Sequence, residues 1–290
     1  MRRLPALSFA PLLLALALPF ALSPALASSS TTWDRTFDVT GAPSLSIRTN
    51  DGSVRVETVE GHQVGVHIST RGWILGDRGV RVDANQDGNH IEVTAKVPRW
   101  GGISFSINRS LVIEVTLPAR ADLDVDTGDG SVTIAPHEGT IRVHTGDGSI
   151  KADHLRGDLT LTSGDGSITG TDLDGRLRAH SGDGHMRLDG RFEALEVTTG
   201  DGGIELDAAP GSKLLDDWYV RSGDGSVTVR LPRDLKAHLD AHTGDGGITL
   251  DLPVEVSGQI SRSSVTGNLN GGGRPFVLRT GDGPIRIASR

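Results

Sequence analysis

A tetrapeptide of the form Ser/Thr-Gly-Asp-Gly recurs eight times and restricts the folds that this chain can adopt. Its aspartates are Asp129, Asp147, Asp165, Asp183, Asp201, Asp224, Asp245 and Asp282. The first five are separated by 18 residues each, and the later gaps are 23, 21 and 37 residues. Repetition at a nearly fixed period is the sequence signature of a solenoid, in which each repeat forms one rung of a stack.

Apolar residues alternate with polar ones on both sides of each tetrapeptide. Around Asp147, Ile141 and Val143 precede the motif, and Ile150 and Ala152 follow it. Alternation with a period of two predicts strands with one buried face. We therefore predict an all-β fold, namely a β-solenoid resembling a single-stranded β-helix, with rungs of about 18 residues. Each rung should contain two short strands and two turns.

The beginning of the chain has the pattern of a targeting segment. Arg2 and Arg3 precede an apolar run from Leu7 to Leu22, and Ala25-Leu26-Ala27 has the small-x-small pattern of a signal-peptidase site. We predict a signal peptide over residues 1–27, an irregular N-terminal β cap over 28–120 and a repetitive solenoid over 121–290. No membrane span is expected after cleavage, so the protein should reach the periplasm, the cell surface or the medium.

Composition and motifs argue against several classes of protein. The absence of Cys excludes disulfide scaffolds, Cys-based zinc sites and cysteine nucleophiles. The 37 acidic against 29 basic side chains argue against a nucleic-acid partner, which normally requires a basic face. The sequence also contains no nucleotide-binding loop, nucleophile elbow or zinc-protease motif.

Several segments resemble a bacterial adhesin-like domain family of unknown function. They are Asn50-Asp51-Gly52-Ser53-Val54-Arg55-Val56-Glu57, Leu117-Pro118-Ala119-Arg120-Ala121-Asp122-Leu123-Asp124-Val125 and the Thr-Gly-Asp-Gly-Ser-Val rungs. The resemblance covers most of residues 33–290. It implies an exported, β-rich, repetitive protein that interacts at a surface, and it transfers no catalytic residue.

The eight stacked aspartates are the candidate metal ligands of the chain. Carboxylates about 5 Å apart repel each other by about 1 kcal/mol in water. One interpretation is structural, in which Gly supplies positive φ values and the carboxylates accept turn N–H groups. The other is a calcium site. The second turn of each rung carries no matching Asp column, so we favour the structural interpretation and expect no cofactor other than calcium.

Other polar groups are interpreted as structural. The Ser or Thr of each tetrapeptide should point inward and bond to the turn backbone. The segment from Asp83 to Gly88 matches the opening of a calcium loop, but Thr94 stands where that loop requires Glu, so we predict a hairpin turn. His144, His180 and His242 should face outward. Pro284, Arg286 and Arg290 should protect the exposed edge of a last rung, and Thr266-Gly267-Asn268 resembles a decayed rung.

The sequence therefore favours a non-enzymatic envelope or surface protein with an adhesin-like binding or structural role. Its ligand, a glycan or a protein, is not specified. Two alternatives stay open: a glycan-active β-solenoid enzyme and a calcium-stabilised repeat module. The outward positions, which include Arg142, Arg178, Glu196 and Tyr219, mix charges without an arrangement to which catalytic roles can be assigned.

Overall fold

The computed structural model describes residues 31–98, 109–252 and 256–290, so the predicted signal peptide lies outside the described residues. The regular secondary structure of these ranges consists of β-strands. They are β1 (Thr32–Asp38), β2 (Ser44–Thr49), β3 (Ser53–Val59), β4 (Gln63–Arg71), β5 (Arg81–Asp87), β6 (His90–Lys96), β7 (Ser110–Pro118), β8 (Asp122–Thr127), β9 (Val132–Ile134), β10 (His137–Thr145), β11 (Ile150–Asp153), β12 (Leu155–Ser163), β13 (Ile168–Ser181), β14 (Met186–Thr199), β15 (Ile204–Ala208), β16 (Trp218–Ser222), β17 (Val227–Leu231), β18 (Ala237–Thr243), β19 (Ile248–Asp251), β20 (Val256–Ile260), β21 (Ser264–Leu269), β22 (Pro275–Thr280) and β23 (Ile285–Ser289). Within these ranges we find no helix with the length and apolar character needed to cross a membrane.

Hydrogen bonding arranges the strands in two stacks. The front stack has the order β5, β6, β2, β8, β10, β12, β13, β14, β16, β22, β18, β21, β20. The back stack has the order β1, β4, β7, β3, β9, β11, β13, β14, β15, β17, β23, β19. Strands β13 and β14 continue from one stack into the other. The prediction of an all-β fold is confirmed, and the parallel pairing of successive rungs is solenoid-like.

The register of the parallel pairs places equivalent residues of successive repeats side by side. Thr145 pairs with Ser163, and Ile150 pairs with Ile168, each 18 positions further along the chain. Every second side chain is buried, as the predicted alternation requires. The two stacks therefore enclose a continuous core between their inner faces.

Three aromatic rings fill this core in the C-terminal half. Trp218 is fully buried, and its ring lies edge-on to Phe276 at a centroid distance of 5.4 Å and to Phe192 at 6.3 Å. Phe276 reaches Trp218 because β22 pairs directly with β16. Edge-to-face aromatic pairs add stability beyond the area that they bury.

The order of the rungs departs from the order of the sequence at the C-terminal end. The rung of Asp282 lies between the rungs of Asp224 and Asp245, because β22 pairs with both β16 and β18, and β23 pairs with both β17 and β19. The predicted role of Pro284, Arg286 and Arg290 at an exposed last edge is therefore wrong. Strand β23 has a neighbour on each side, and Arg290 forms ion pairs with Asp189 at 2.9 Å and Asp207 at 3.2 Å.

The C-terminal end of the front stack is closed by a hairpin. Strands β20 and β21 pair in antiparallel fashion, and β21 also lies antiparallel to β18. The sequence predicts a decayed rung at Thr266-Gly267-Asn268, but these residues lie in β21. A rung must pair in parallel with its neighbour, whereas β21 runs antiparallel to β18. The segment is therefore part of a cap and not a rung.

The N-terminal region is only partly the irregular cap that the sequence predicts over residues 28–120. Strands β2 and β3 pair in parallel with β8 and β9, so Asn50-Asp51-Gly52 forms one more corner of the column. Strands β1, β4 and β7 add antiparallel pairings. The hairpin predicted at Asp83–Gly88 is present, since β5 and β6 pair in antiparallel fashion, but Asp83 to Asp87 belong to β5 and the turn lies at Gly88 and Asn89.

Candidate functional site

The Ser/Thr column is a structural ladder, as predicted. Ser163 is buried, and its hydroxyl donates to the carbonyl of Gly148 at 2.9 Å and accepts from the N–H of Gly166 at 2.9 Å. Equivalent bonds to a glycine carbonyl of the adjacent rung are donated by Thr127, Thr145, Ser181, Thr199, Ser222, Thr243 and Thr280. Each hydroxyl thus supplies a partner to a buried backbone group that would otherwise be costly to bury.

The tetrapeptide glycines are required for a reason other than the predicted one. None of them is among the described residues with positive φ, whereas Gly157 and Gly175 of the second turn have φ of 120° and 119°. A Cβ added to Gly184 would lie 2.1 Å from the carbonyl oxygen of Gly166. Successive corners approach so closely that only a residue without a side chain fits.

The Asp column lies on the solvent side of these corners. All eight predicted aspartates are exposed, and no hydrogen bond or ion pair of the described residues involves their carboxylates. The prediction that they accept turn N–H groups is therefore wrong, because the Ser/Thr hydroxyls and the glycine carbonyls perform that function. Within the described ranges, no group of three or more His, Asp or Glu side chains is arranged to hold a metal ion, and the calcium interpretation stays a prediction.

Replacing both Asp147 and Asp165 by Asn is expected to leave the fold intact and to raise the thermal unfolding midpoint at low ionic strength. The substitutions remove repulsion between stacked exposed carboxylates and break no hydrogen bond of the described residues. The gain should shrink in high salt, which screens exposed charges. A lower midpoint would contradict this expectation, and a calcium-dependent stabilisation of the wild type that a chelator reverses and the variant lacks would support the calcium interpretation.

His137 is a buried titratable side chain at the second turn of its rung. It is 3% exposed, and its Nε2 lies 3.0 Å from the carbonyl oxygen of Ala121. Its Nδ1 has no hydrogen-bond partner among the described residues. Burial lowers the pKa of His137, and the Ala121 carbonyl and the charges of Asp122 and Glu138 oppose this effect. The folded protein therefore favours the neutral imidazole.

We expect the free energy of unfolding to fall as the pH decreases below 6.5, the ordinary pKa of His. Below that value the unfolded chain binds a proton that the folded His137 resists, so acid favours unfolding. Leu155 occupies the equivalent position of the next rung, which makes His137→Leu a matched variant. Urea unfolding of both proteins between pH 8 and pH 5 should show that the free energy of unfolding of the wild type falls relative to that of the variant as the pH decreases below 6.5. A difference in free energy of unfolding that does not depend on pH would contradict the lowered pKa of His137.

A polar groove crosses the outer face of the front stack and encloses about 590 Å³. We call it the front groove, and its charged and aromatic lining consists of Arg142, Asp158, Arg176, Arg178, Glu196, Asp216, Asp217, Tyr219 and Arg274. Strands β10, β12, β13, β14 and β16 supply its floor. Its wall is formed by Asp216 and Asp217, which lie in the segment before β16, and by Arg274, which precedes β22.

Ion pairs hold the long side chains of the front groove. Arg178 Nε lies 2.7 Å from Glu196, and Arg176 lies 2.9 Å from Asp216. A third pair joins Arg274 to Asp217 at 3.3 Å. These exposed pairs add little to stability, but they orient donors and acceptors toward the groove.

Tyr219 is the exposed aromatic residue of this groove. Its side chain is 47% exposed, although it lies on β16 between the buried Trp218 and Val220. Its hydroxyl donates to Asp217 at 3.3 Å. The ring is thus fixed by a strand and a hydrogen bond while its apolar surface faces solvent.

The sequence identifies part of the front groove only. Arg142, Arg178, Glu196 and Tyr219 are predicted to point outward, and the structure aligns them across adjacent strands. Asp216, Asp217 and Arg274 lie in connecting segments, whose positions no periodicity indicates. His144, His180 and His242 face outward, as predicted, and are exposed.

Comparison with known proteins identifies a family and shows a likeness to solved structures. Residues 42–288 match the model of the Toastrack DUF4097 family. A crystal structure of a candidate cell adhesion protein from Clostridium sporogenes ATCC 15579 is similar, with 14% identity and a TM-score of 0.29 over 89% of this chain and 100% of that one. Among curated proteins, none matches this chain.

Proposed function

The chain belongs to the Toastrack DUF4097 family, and we propose that it is an exported, non-enzymatic envelope or surface protein that binds a partner through the front groove. The observation that carries this proposal is the exposed Tyr219 ring within a groove of oriented Arg and carboxylate side chains. Tyr and Arg are the residues that most often dominate the energy of binding surfaces. The signal-peptide pattern of residues 1–27 supports export.

The rigidity of the groove also favours a binding role. Its floor consists of five neighbouring strands that share a continuous ladder of hydrogen bonds. The backbone of such strands loses little additional freedom when a partner binds, and this preorganisation lowers the entropic cost of association. A repetitive sheet face is therefore a suitable support for an adhesin-like surface.

Export is tested by fractionating cells that express the full chain. We expect the protein outside the cytoplasm with Ser28 at its N-terminus, as cleavage after Ala27 requires. N-terminal sequencing of the purified protein checks the cleavage position. A cytoplasmic protein that retains residues 1–27 would contradict the proposal.

Binding is tested by the retention of the purified protein on isolated cell envelopes. The Tyr219→Ala variant is expected to weaken retention by roughly tenfold, because an aromatic anchor of a binding surface typically contributes more than about 1 kcal/mol. Ile74→Ala is the matched control, because Ile74 is a large apolar residue that is 42% exposed and lies outside the groove. Equal retention of both variants would remove the front groove as the binding site. Release of products from a retained polysaccharide would favour the glycan-active alternative.

A further inference from the structure

We propose that the front groove binds a neutral, hydroxyl-rich oligosaccharide, an inference that rests on the proposed binding function. Three features of the groove support it: the balance of its charges, the position of its aromatic ring and the scarcity of apolar anchors. Together these features select one chemical class of ligand from those that an adhesin-like surface can recognise.

The charges of the front groove are balanced. Four guanidinium groups, from Arg142, Arg176, Arg178 and Arg274, accompany four carboxylates. Those carboxylates belong to Asp158, Glu196, Asp216 and Asp217. A balanced groove offers no net attraction to an acidic or a basic polymer. It does present donors and acceptors next to each other, which suits the hydroxyl groups of a sugar, since each hydroxyl both donates and accepts.

Arg142 does not create an anion site. It forms no ion pair with the described residues, but Asp124 of β8 is its partner in the ladder on one side and Thr160 on the other. An acidic ligand at Arg142 would therefore meet the carboxylate of Asp124. This neighbour favours an uncharged ligand here as well.

Tyr219 provides the aromatic surface of the groove, beside which the half-buried Ala194 is small. Its ring can pack against the C–H face of a sugar ring, while the carboxylates of Asp217 and Glu196 accept bonds from the sugar hydroxyls. Protein partners usually bury an apolar centre with several aromatic or aliphatic anchors. One aromatic ring beside three ion pairs does not match that pattern, whereas it does suit a saccharide.

The length of the groove fits a chain of several sugar units. Arg142, Thr160, Arg178, Glu196 and Tyr219 stand in one row, because they occupy paired positions on five neighbouring strands. Strands in a sheet are about 4.8 Å apart, so this row extends over about 19 Å. An oligosaccharide that lies along the row would contact every member.

The test uses affinity electrophoresis of the exported protein in gels that contain neutral polysaccharides: a β-glucan, an α-glucan and a galactomannan. Hexasaccharides of any polysaccharide that retards the protein are then titrated by calorimetry. We expect retardation by at least one of them and a dissociation constant that changes less than about twofold between low and high ionic strength, because screening does not affect an uncharged ligand.

Variants separate binding from folding. Tyr219→Ala should weaken binding by roughly tenfold, and Tyr219→Phe, which keeps the ring, should retain most of it. Arg178→Ala should also weaken binding. Its matched control is Arg187→Ala on the back stack, because Arg187 pairs with Glu205 at the same 2.7 Å as Arg178 with Glu196 and is similarly exposed. Loss of binding in the Arg187 variant would overturn the assignment to the front groove.

The remaining outcomes distinguish this inference from the proposed function. Retardation only in parallel gels that contain an acidic polysaccharide, with a strong dependence on salt, would overturn the neutral ligand and leave the binding function intact. If no polysaccharide binds but envelope retention depends on Tyr219, the saccharide is wrong and a protein partner is indicated. If envelope retention is also independent of Tyr219, the proposed function fails as well.

Discussion

Replacement of Gly166 by Ala is expected to lower the free energy of unfolding by about 3 kcal/mol, the upper part of the range for overpacking. The added Cβ would lie 2.1 Å from the carbonyl oxygen of Gly148 and 2.5 Å from its carbonyl carbon. Both atoms belong to the backbone of the adjacent rung, which is itself held by its neighbours. Relief of the clash would therefore separate two rungs, and urea unfolding would measure the cost.

Gly247→Ala is the matched control for this substitution. Gly247 lies at the same kind of corner, directly after the tetrapeptide glycine Gly246, but an added Cβ would meet no atom within 4 Å, and its φ is not in the left-handed region. We expect a change of less than about 0.5 kcal/mol, typical of an exposed position without special contacts. Similar losses in both variants would show that flexibility, and not the close approach of the corners, determines the need for Gly.

Trp218→Ala is expected to cost about 3–5 kcal/mol, the range for removing a large buried aromatic side chain. Trp218 is fully buried between Phe192 and Phe276, so its removal leaves a cavity among three rungs. Its Nε1 has no hydrogen-bond partner among the described residues. Trp218→Phe should therefore cost much less, since it keeps an aromatic ring and removes an unpaired buried donor.

The adjacent Tyr219 supplies the control for Trp218. It lies on the same strand but points into solvent, so Tyr219→Ala should change the free energy of unfolding by less than about 0.5 kcal/mol. The same measurement shows that this variant is folded when its binding is assayed. A comparable loss at both positions would mean that the inward and outward faces of β16 are assigned incorrectly.

The alternation of apolar residues predicts most strands of the two stacks because burial on one face requires a period of two. The choice of neighbour for each rung cannot be predicted in this way. Every rung presents a similar ladder of backbone groups, so β22 satisfies the same pattern beside β16 as beside any other strand. The aromatic residues do carry a signal: Trp218 and Phe276 occupy equivalent positions in their rungs and pack together.

The front groove, too, can be predicted from the sequence only in part. The outward row that contains Arg178 and Tyr219 follows from the period of the strands, so the sequence identifies its members. Asp216, Asp217 and Arg274 complete the groove from segments between strands, where the chain path depends on tertiary contacts. The sequence also does not show why the tetrapeptide corners need glycine. The residue type is the same whether a positive φ or the close approach of another backbone requires it.

The position of the Asp282 rung between the rungs of Asp224 and Asp245 determines how the array responds to truncation. A linear repeat protein can add or lose terminal units one at a time, since each unit contacts only its sequence neighbours. Here the seventh tetrapeptide rung, that of Asp245, pairs not with the sixth rung, that of Asp224, but with the rung of Asp282, which lies between them. Deletion of β22 and β23 would therefore separate β18, β19 and the closing hairpin from the rest of the array rather than shorten it.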